Sequence, residues 1–521
     1  MAPDGRPPLQ LDVDGRQTEV PDRGQSLLEV LREDLGLTSA KDGCSPQGQC
    51  GCCTVLVDGQ PRVACVTPAR RVAGRSITTV DGLDPAVRDG WARAVVDAGA
   101  SQCGFCTPGI ICRLEGLRAK APDAGHDAVE QALLAHLCRC TGWRTLLDAW
   151  DRFAPEPPSA DERDHEAAAQ RAEIEGGAHQ RVDAEVALGR GGFADDMAPA
   201  AALVAVPDGQ GGWAVGETLA EARAAAGKVQ GRRTTVEARP PLGAPPGAWA
   251  AVLRTSWVEP AYLEPDAAWC EPGGEPASPL ANGGAFGGKR HSPGPAAARQ
   301  LADRYGRAVR VLLNREDIVR LGPKRPPVAG GADPDGTGVL RVIRTAGIEE
   351  LIHRVAPGLR VEEVDVAGPP TSVDLRAAGW AEAMVLLAGA RGSLEPVTDP
   401  IRGARAEAEI AADGTVRVRV EAGEVLDEVV LRSYCTGAAH MALSWVSSEG
   451  IAVDDDGQVH DLTIRSFGVL RAVDTPPIEV EVVAGTGPAV RGSDAVFAAV
   501  AAAAWLHGGC IPDWPTGQRW R

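Results

Sequence analysis

Apolar and polar residues alternate through "LQLDVDGRQTEV" (residues 9–20) around Asp14-Gly15, a pair that tolerates positive φ at both positions. The pattern predicts two strands joined by a tight hairpin. "SLLEVLREDLG" then opens with Ser26 and Glu29 at capping-box spacing and ends at Gly36, which predicts a short helix. After a glycine-rich loop, "TVLVDGQPRVAC" (residues 54–65) repeats the hairpin signal at Asp58-Gly59. Further on, Thr107-Pro108 predicts a helix start, with Thr107 as N-cap and proline at the first helical position. "VEQALLAHLCRCTGWRTLLDAW" (residues 129–150) predicts one helix ending near Cys138 and Cys140 and a second one capped by Thr141. Residues 154–178, rich in proline and charge and without a sustained apolar period, predict a mobile linker between domains. The longest apolar stretch, "AVFAAVAAAAWL" at residues 495–506, is too short to span a bilayer.

The chemistry lies in the cysteines, which come in bursts. Cys44, Cys50, Cys53 and Cys65 follow C-x5-C-x2-C with a more distant fourth thiol, close to the plant-type [2Fe-2S] pattern. Gly43, Gly48 and Gly51 let the loop curl so that its amides aim at the cluster sulfurs. A tetrahedral zinc site would use the same four thiolates and stays open at this point. Cys52 is expected to be a small packed side chain, because adjacent cysteines seldom both point at one cluster. The second burst places Cys103 and Cys106 before one helix and Cys138 and Cys140 at the end of another, so the two pairs can meet on a second [2Fe-2S] cluster. Cys112 is expected in the helix core.

With 521 residues the chain has room for two to four domains, and 13 cysteines in that length point to metal ligation in a reducing compartment rather than to a disulfide scaffold. The start has no charged n-region followed by an apolar run, so a cytoplasmic location is expected. A net charge of −18 disfavours a nucleic-acid partner.

"DGCSPQGQCGCCTV", "QCGFCTPG" and "LCRCTGW" together closely resemble the iron–sulfur module of the molybdenum hydroxylases, the group of xanthine dehydrogenase, aldehyde oxidoreductase and carbon monoxide dehydrogenase. The resemblance covers residues 9–153, with one extra residue between Cys44 and Cys50. It implies an oxidoreductase, and it implies that Gln102 contacts the pterin of a molybdenum cofactor. Residues 179–521 resemble, more faintly, the molybdopterin-binding subunit of the same family. "AYLEPDAAW" is similar to its "LEP" loop, and "GGAFGGK" to the turn that brings Gly284, Phe286 and Gly287 to the molybdenum centre. "DLRAAGWAE" is similar to the segment in which Arg376 and Gly379 approach substrate and cofactor. The resemblance also defines departures. A long stretch of further pterin-binding loops is absent between Gly392 and Ala404, and Cys435-Thr436-Gly437 stands at the family's glutamine-glycine position. Ser493 occupies the position of the family's general base, where its hydroxyl is too weakly acidic to serve. Asp494, one residue away, is a shorter and displaced carboxylate.

The expected fold is α+β. A plant-ferredoxin-like β-grasp domain (1–78) precedes a helical-bundle [2Fe-2S] domain (79–153), the linker (154–178), a reduced α/β hammerhead-like domain (179–240) and a shortened molybdopterin-binding-like region (241–521). No flavin or nicotinamide fingerprint is visible, which assigns FAD to a partner. Three functions follow as alternatives. The favoured one is the electron-transfer subunit of a molybdenum hydroxylase complex, working with a molybdopterin-binding and an FAD-binding subunit, with molybdopterin on or shared with a partner. The others are a complete molybdopterin-dependent hydroxylase with an atypical active site, and a non-catalytic iron–sulfur sensor or assembly protein.

Overall fold

A computed structural model describes residues 7–520 apart from 46, 156–162, 229–230, 232–233 and 281. The first hairpin forms as its sequence dictates: Leu9–Val13 pairs antiparallel with Arg16–Val20 across Asp14 (φ 52°) and Gly15 (φ 74°). Leu9–Val13 also runs parallel to Ser76–Thr78, and the five-stranded sheet is completed by Thr54–Val57 and Gln60–Val63. Leu11, Val13, Val55, Val57 and Ile77 bury one face of this sheet against Leu27, Leu28, Val30 and Leu31. The capping box is present, with Ser26 Oγ accepting the Glu29 N–H and the Glu29 carboxylate accepting the Ser26 N–H. The helix it starts is α-helical only over Leu27–Glu29 and relaxes into a π turn over Val30–Asp34.

Helices Pro85–Asp97, α1 (Thr107–Arg118), His126–Ala132 and Arg144–Arg152 form the next unit. Two expected caps are corrected here. Cys106, not Thr107, is the N-cap of α1, and the Thr107 hydroxyl donates to Ser101 Oγ. Thr141 caps no helix: the following one starts at Arg144 after Trp143, whose φ is 66°. The Thr141 hydroxyl lies instead 3.1 Å from the Cys138 sulfur.

Part of the expected mobile linker lies outside the described residues, but 165–176 form a regular helix, α2 (His165–Gly176). Asp164 caps it, accepting the N–H groups of Glu166 and Ala167, and Gly177 ends it in the left-handed region. Its buried face holds Ala168 and Ala172, packed on Val430 and Tyr434, together with the side chains of Arg171 and Glu175. A face of alanines and a paired Arg and Glu has no apolar period to read.

Three sheets follow. Strands Trp213–Gly216, Leu203–Pro207, Val309–Leu313 and Asp266–Cys270 lie in that order, so the sheet joins residues from both sides of position 240. The other two sheets, built around Val328–Ala332 and Val416–Glu421, sandwich the helix Trp380–Arg391 together with α3 (Glu428–Ser447) and α4 (Ser493–His507) in one continuous core. Helix α4 is apolar nearly all round and is buried nearly all round. No helix among the described residues is long and apolar enough to cross a membrane.

The iron–sulfur half is fastened to the rest by buried charge. Arg139 forms a bidentate pair with Glu449 (Nη2 to Oε2 2.7 Å), and Arg32 reaches Asp195 and Asp196 at 2.7 and 2.8 Å. Lys41 donates to Gly189 O and pairs with Asp196.

Candidate metal centres

The loop from Asp42 to Cys53 folds back on itself and buries Cys44, Cys50 and Cys53 to 1% exposure, with Cys65 at 6%. Their thiols are in contact as pairs, Cys44 with Cys50 and Cys53 with Cys65, and Cys44 also touches Cys65. Backbone amides aim at the sulfurs: Gln47 N–H at Cys44 Sγ (3.3 Å) and Cys65 N–H at Cys53 Sγ (3.4 Å). The neighbouring thiols of Cys50 and Cys65, with the amides of Gln49 and Gln47, hold the Cys44 thiol well below its ordinary range.

The second set is also two pairs, Cys103 with Cys140 and Cys106 with Cys138. Contact with Cys106, the Thr141 hydroxyl and the Thr141 and Cys140 amides bring the Cys138 thiol down to about 6 against the cost of burial. Thr141 thus serves a sulfur where the sequence suggested a helix cap.

Each set offers four thiols as two pairs, which suits two irons bridged by sulfide, each held by two thiolates. The residues therefore fit [2Fe-2S] clusters at both sites. Such a cluster supplies one-electron chemistry when bound; the chain supplies thiolates, amide donors and a dry surround.

The two sets stand back to back. Leu137 N–H donates to Cys50 O at 3.0 Å, and Thr54 Oγ1 lies 3.2 Å from His136 Nε2. Gly51 (φ 75°) admits no side chain, since a Cβ there would stand 2.5 Å from His136 Cδ2. Cys52 fills the space between the sets, touching the Cys50 thiol and lying within electrostatic reach of Cys138, and burial pushes its own thiol up. It is a packed residue, and Cys112 is likewise buried in the α1 core with its thiol raised by desolvation.

The residues likened to a pterin site lie beside the second set. Gln102, Cys103, Cys140, Gln180, Gly284 and Phe286 help line a cavity of about 50 Å³. Gln102 Nε2 is already satisfied by Cys140 O (2.9 Å) and Ser433 Oγ (3.1 Å). Gly287 (φ 94°) packs on Asp374 O, where a Cβ would stand 1.9 Å away. Arg376 caps the Phe286 ring at 5.0 Å, donates to Ser493 Oγ at 3.2 Å and lies 3.3 Å from Asp494.

What fills the rest is the chain itself. Glu175 of α2 accepts the N–H groups of Gly492 (2.9 Å) and Ser493 (3.1 Å) and pairs with Arg171. Gln180 donates to Asn282 O (3.1 Å) and bonds the Tyr434 hydroxyl, while Gly176 O sits 2.7 Å from where a Gly284 Cβ would be. A cavity of 50 Å³ is far below the roughly 300–1,000 Å³ typical of sites for ligands of cofactor size. Molybdopterin does not fit this arrangement. Asp494 is no free base either, because its carboxylate is shared among Arg376, Arg402 and Arg491 at 3.3–3.5 Å. Glu175 could not have been found from sequence, since it lies in the expected linker and meets its partners from a helix hundreds of residues away.

Comparison with known proteins agrees with the cysteine geometry. Residues 10–73 match the 2Fe-2S iron-sulfur cluster binding domain and residues 79–151 the [2Fe-2S] binding domain. Both domains bind [2Fe-2S] clusters, and the relatives that share them are iron–sulfur oxidoreductase subunits. The nicotinate dehydrogenase small FeS subunit of Eubacterium barkeri is 39% identical over 153 residues, 28% of this chain and 94% of that protein. The nicotine 6-hydroxylase small subunit of Paenarthrobacter nicotinovorans is 38% identical over 149 residues, 28% of this chain and 90% of that one. The chain belongs to the molybdenum hydroxylase family. The aldehyde oxidoreductase structure from Desulfovibrio gigas matches the fold with a TM-score of 0.65 at 16% identity, spanning 96% of this chain and 97% of that one.

Proposed function

We propose that this chain is the electron-transfer component of a xanthine dehydrogenase-like molybdenum hydroxylase complex. Electrons leave a molybdenum centre carried by a partner chain, enter the cluster at Cys103, Cys106, Cys138 and Cys140, pass to the cluster at Cys44, Cys50, Cys53 and Cys65, and leave to a flavin subunit or another acceptor. The observation that carries this reading is the contrast between the two kinds of site. All eight cysteines are paired and back to back, whereas segment 175–180 takes up the space beside Gln102 and Phe286. The ferredoxin-like (1–78) and helical (79–153) units are the relay, and residues 179–521 act as a docking body that holds it in place.

The test is anaerobic affinity purification from the native host. The chain should carry iron and acid-labile sulfide but no molybdenum, and should bring down a molybdopterin-containing subunit, an FAD-containing subunit or both. Stoichiometric molybdenum on the isolated chain would overturn the assignment.

A further inference from the structure

The first cysteine set lies just under the surface at Val66, which follows the buried Cys65, is 54% exposed and lies over the cluster loop: a Cβ on Gly48 would stand 2.9 Å from its Cγ1. Exposed arginines lie close to Cys65 in the chain. Arg62, Arg70 and Arg71 flank Cys65 in the chain, all exposed and, among the described residues, without an ion-pair partner. Arg465 is exposed as well. It spends its guanidinium on the carbonyls of Gln49 and Leu134 (both 2.9 Å), which leaves its charge uncompensated within reach of Cys44 and Cys50. The carboxylate of Glu29, near the Ser26–Pro68 bridge, is tied to the Ser26 N–H and hydroxyl. A chain of net charge −18 thus keeps exposed, unpaired arginines on both sides of Cys65 in the sequence and a further one, Arg465, on the cluster loop, next to the exposed Val66.

We infer that this face docks the electron acceptor, and that the acceptor is a redox protein with an acidic surface around an apolar centre. The inference rests on the electron-transfer reading and adds the chemistry of the partner. Local charge of this kind steers an encounter even when the net charge opposes it, because salt screens contributions beyond about 8–10 Å. The arginines would raise the association rate, and Val66 would supply the dry contact.

The test uses the dithionite-reduced holoprotein and two small oxidants of opposite charge, ferricyanide and hexaammineruthenium(III). Each takes one electron from a reduced cluster, which returns to its oxidised form as the oxidant becomes ferrocyanide or the ruthenium(II) complex. Ferricyanide oxidation of the ferredoxin-type signal should slow as salt rises from about 10 mM to about 0.3 M, and ruthenium oxidation should quicken. Arg70→Glu with Arg71→Glu should lower the ferricyanide rate about tenfold at low salt and leave it unchanged at high salt. Polyglutamate should compete with ferricyanide on the parent protein and not on the variant. Iron content and both paramagnetic signals check that the variant is intact; if it is not, Arg70→Gln with Arg71→Gln should give the same trend at smaller size. Ferricyanide oxidation that quickens with salt, or rates insensitive to these substitutions, overturns the proposal. Failure of the underlying electron-transfer reading looks different: no reducible pair of signals, with either oxidant.

Discussion

Glu175 receives the backbone N–H of Ser493 at 3.1 Å, so a carboxylate from α2 satisfies the first turn of α4 at the position to which the sequence resemblance assigns a general base. Both partners are buried, Glu175 at 2% exposure and Ser493 at 0%. Glu175 also neutralises Arg171, which is itself fully buried and donates to Val490 O at 2.7 Å.

Removing that carboxylate leaves a buried guanidinium unpaired and a helix start uncapped. Glu175→Ala should cost about 3–5 kcal/mol of stability, with Glu175→Gln less damaging because one acceptor oxygen remains. Denaturant unfolding measures both. A loss below about 0.5 kcal/mol, the usual range for uncoupled surface positions, would mean that α2 is not anchored as described.

The paired thiols predict two separable clusters. Iron and sulfide analysis should return four of each per chain, as two [2Fe-2S] units. Cys138→Ser should abolish one paramagnetic signal and Cys53→Ser the other, whereas Cys52→Ser should keep both. If Cys52→Ser erased a signal as fully as Cys53→Ser, the ligand assignment would be wrong.

The isolated chain should not hydroxylate purines or aldehydes. Loss of a positioned base alone costs about 10²–10⁴-fold, and here the cofactor space is also filled. Ser493→Glu should therefore produce no activity in a spectrophotometric turnover assay. Turnover accompanied by bound molybdenum would contradict the closed cavity.

His440 is fully buried in α3 with Nε2 3.1 Å from Leu470 O, and burial, helped by the nearby Arg139 charge, lowers its pKa to about 3. The unfolded chain then binds a proton near pH 6.5 that the folded chain refuses. Stability is complete above that pH and falls as the pH drops toward 3, by about 1.4 kcal/mol per unit. Between pH 7 and pH 5, His440→Gln should remove about 2 kcal/mol of this dependence, measured by denaturant midpoints at each pH. Parallel curves for the two proteins would exclude His440 as the source.

The cysteine chemistry was legible because ligation ties spacing to geometry: Cys44, Cys50 and Cys53 must share one loop, and Cys103 and Cys106 one helix start. The hairpins at Asp14 and Asp58 were legible because their backbone demands particular residues. Thr141 was misread because a hydroxyl next to a helix and a hydroxyl next to a sulfur look alike in one dimension. Helix α2 was missed for a related reason. Its buried contacts are Ala168, Ala172, Arg171 and Glu175, a surface that turns into a core only once Tyr434, Val490 and Ser493 arrive from the far end of the chain.

Those late arrivals predict an order for maturation. Trp143 Nε1 donates to Leu470 O at 3.0 Å, and Arg139 is locked to Glu449, so the C-terminal half closes over a set in which Cys138 is 1% exposed. A scaffold protein delivering iron and sulfide needs to reach those thiols directly. Loading therefore belongs before closure, while the nascent N-terminal unit is still open, and chain produced without iron should refuse reconstitution until mild denaturant loosens the C-terminal half. Iron uptake by the apoprotein, followed against denaturant concentration, would reveal that window, and full uptake in plain buffer would place loading after folding instead.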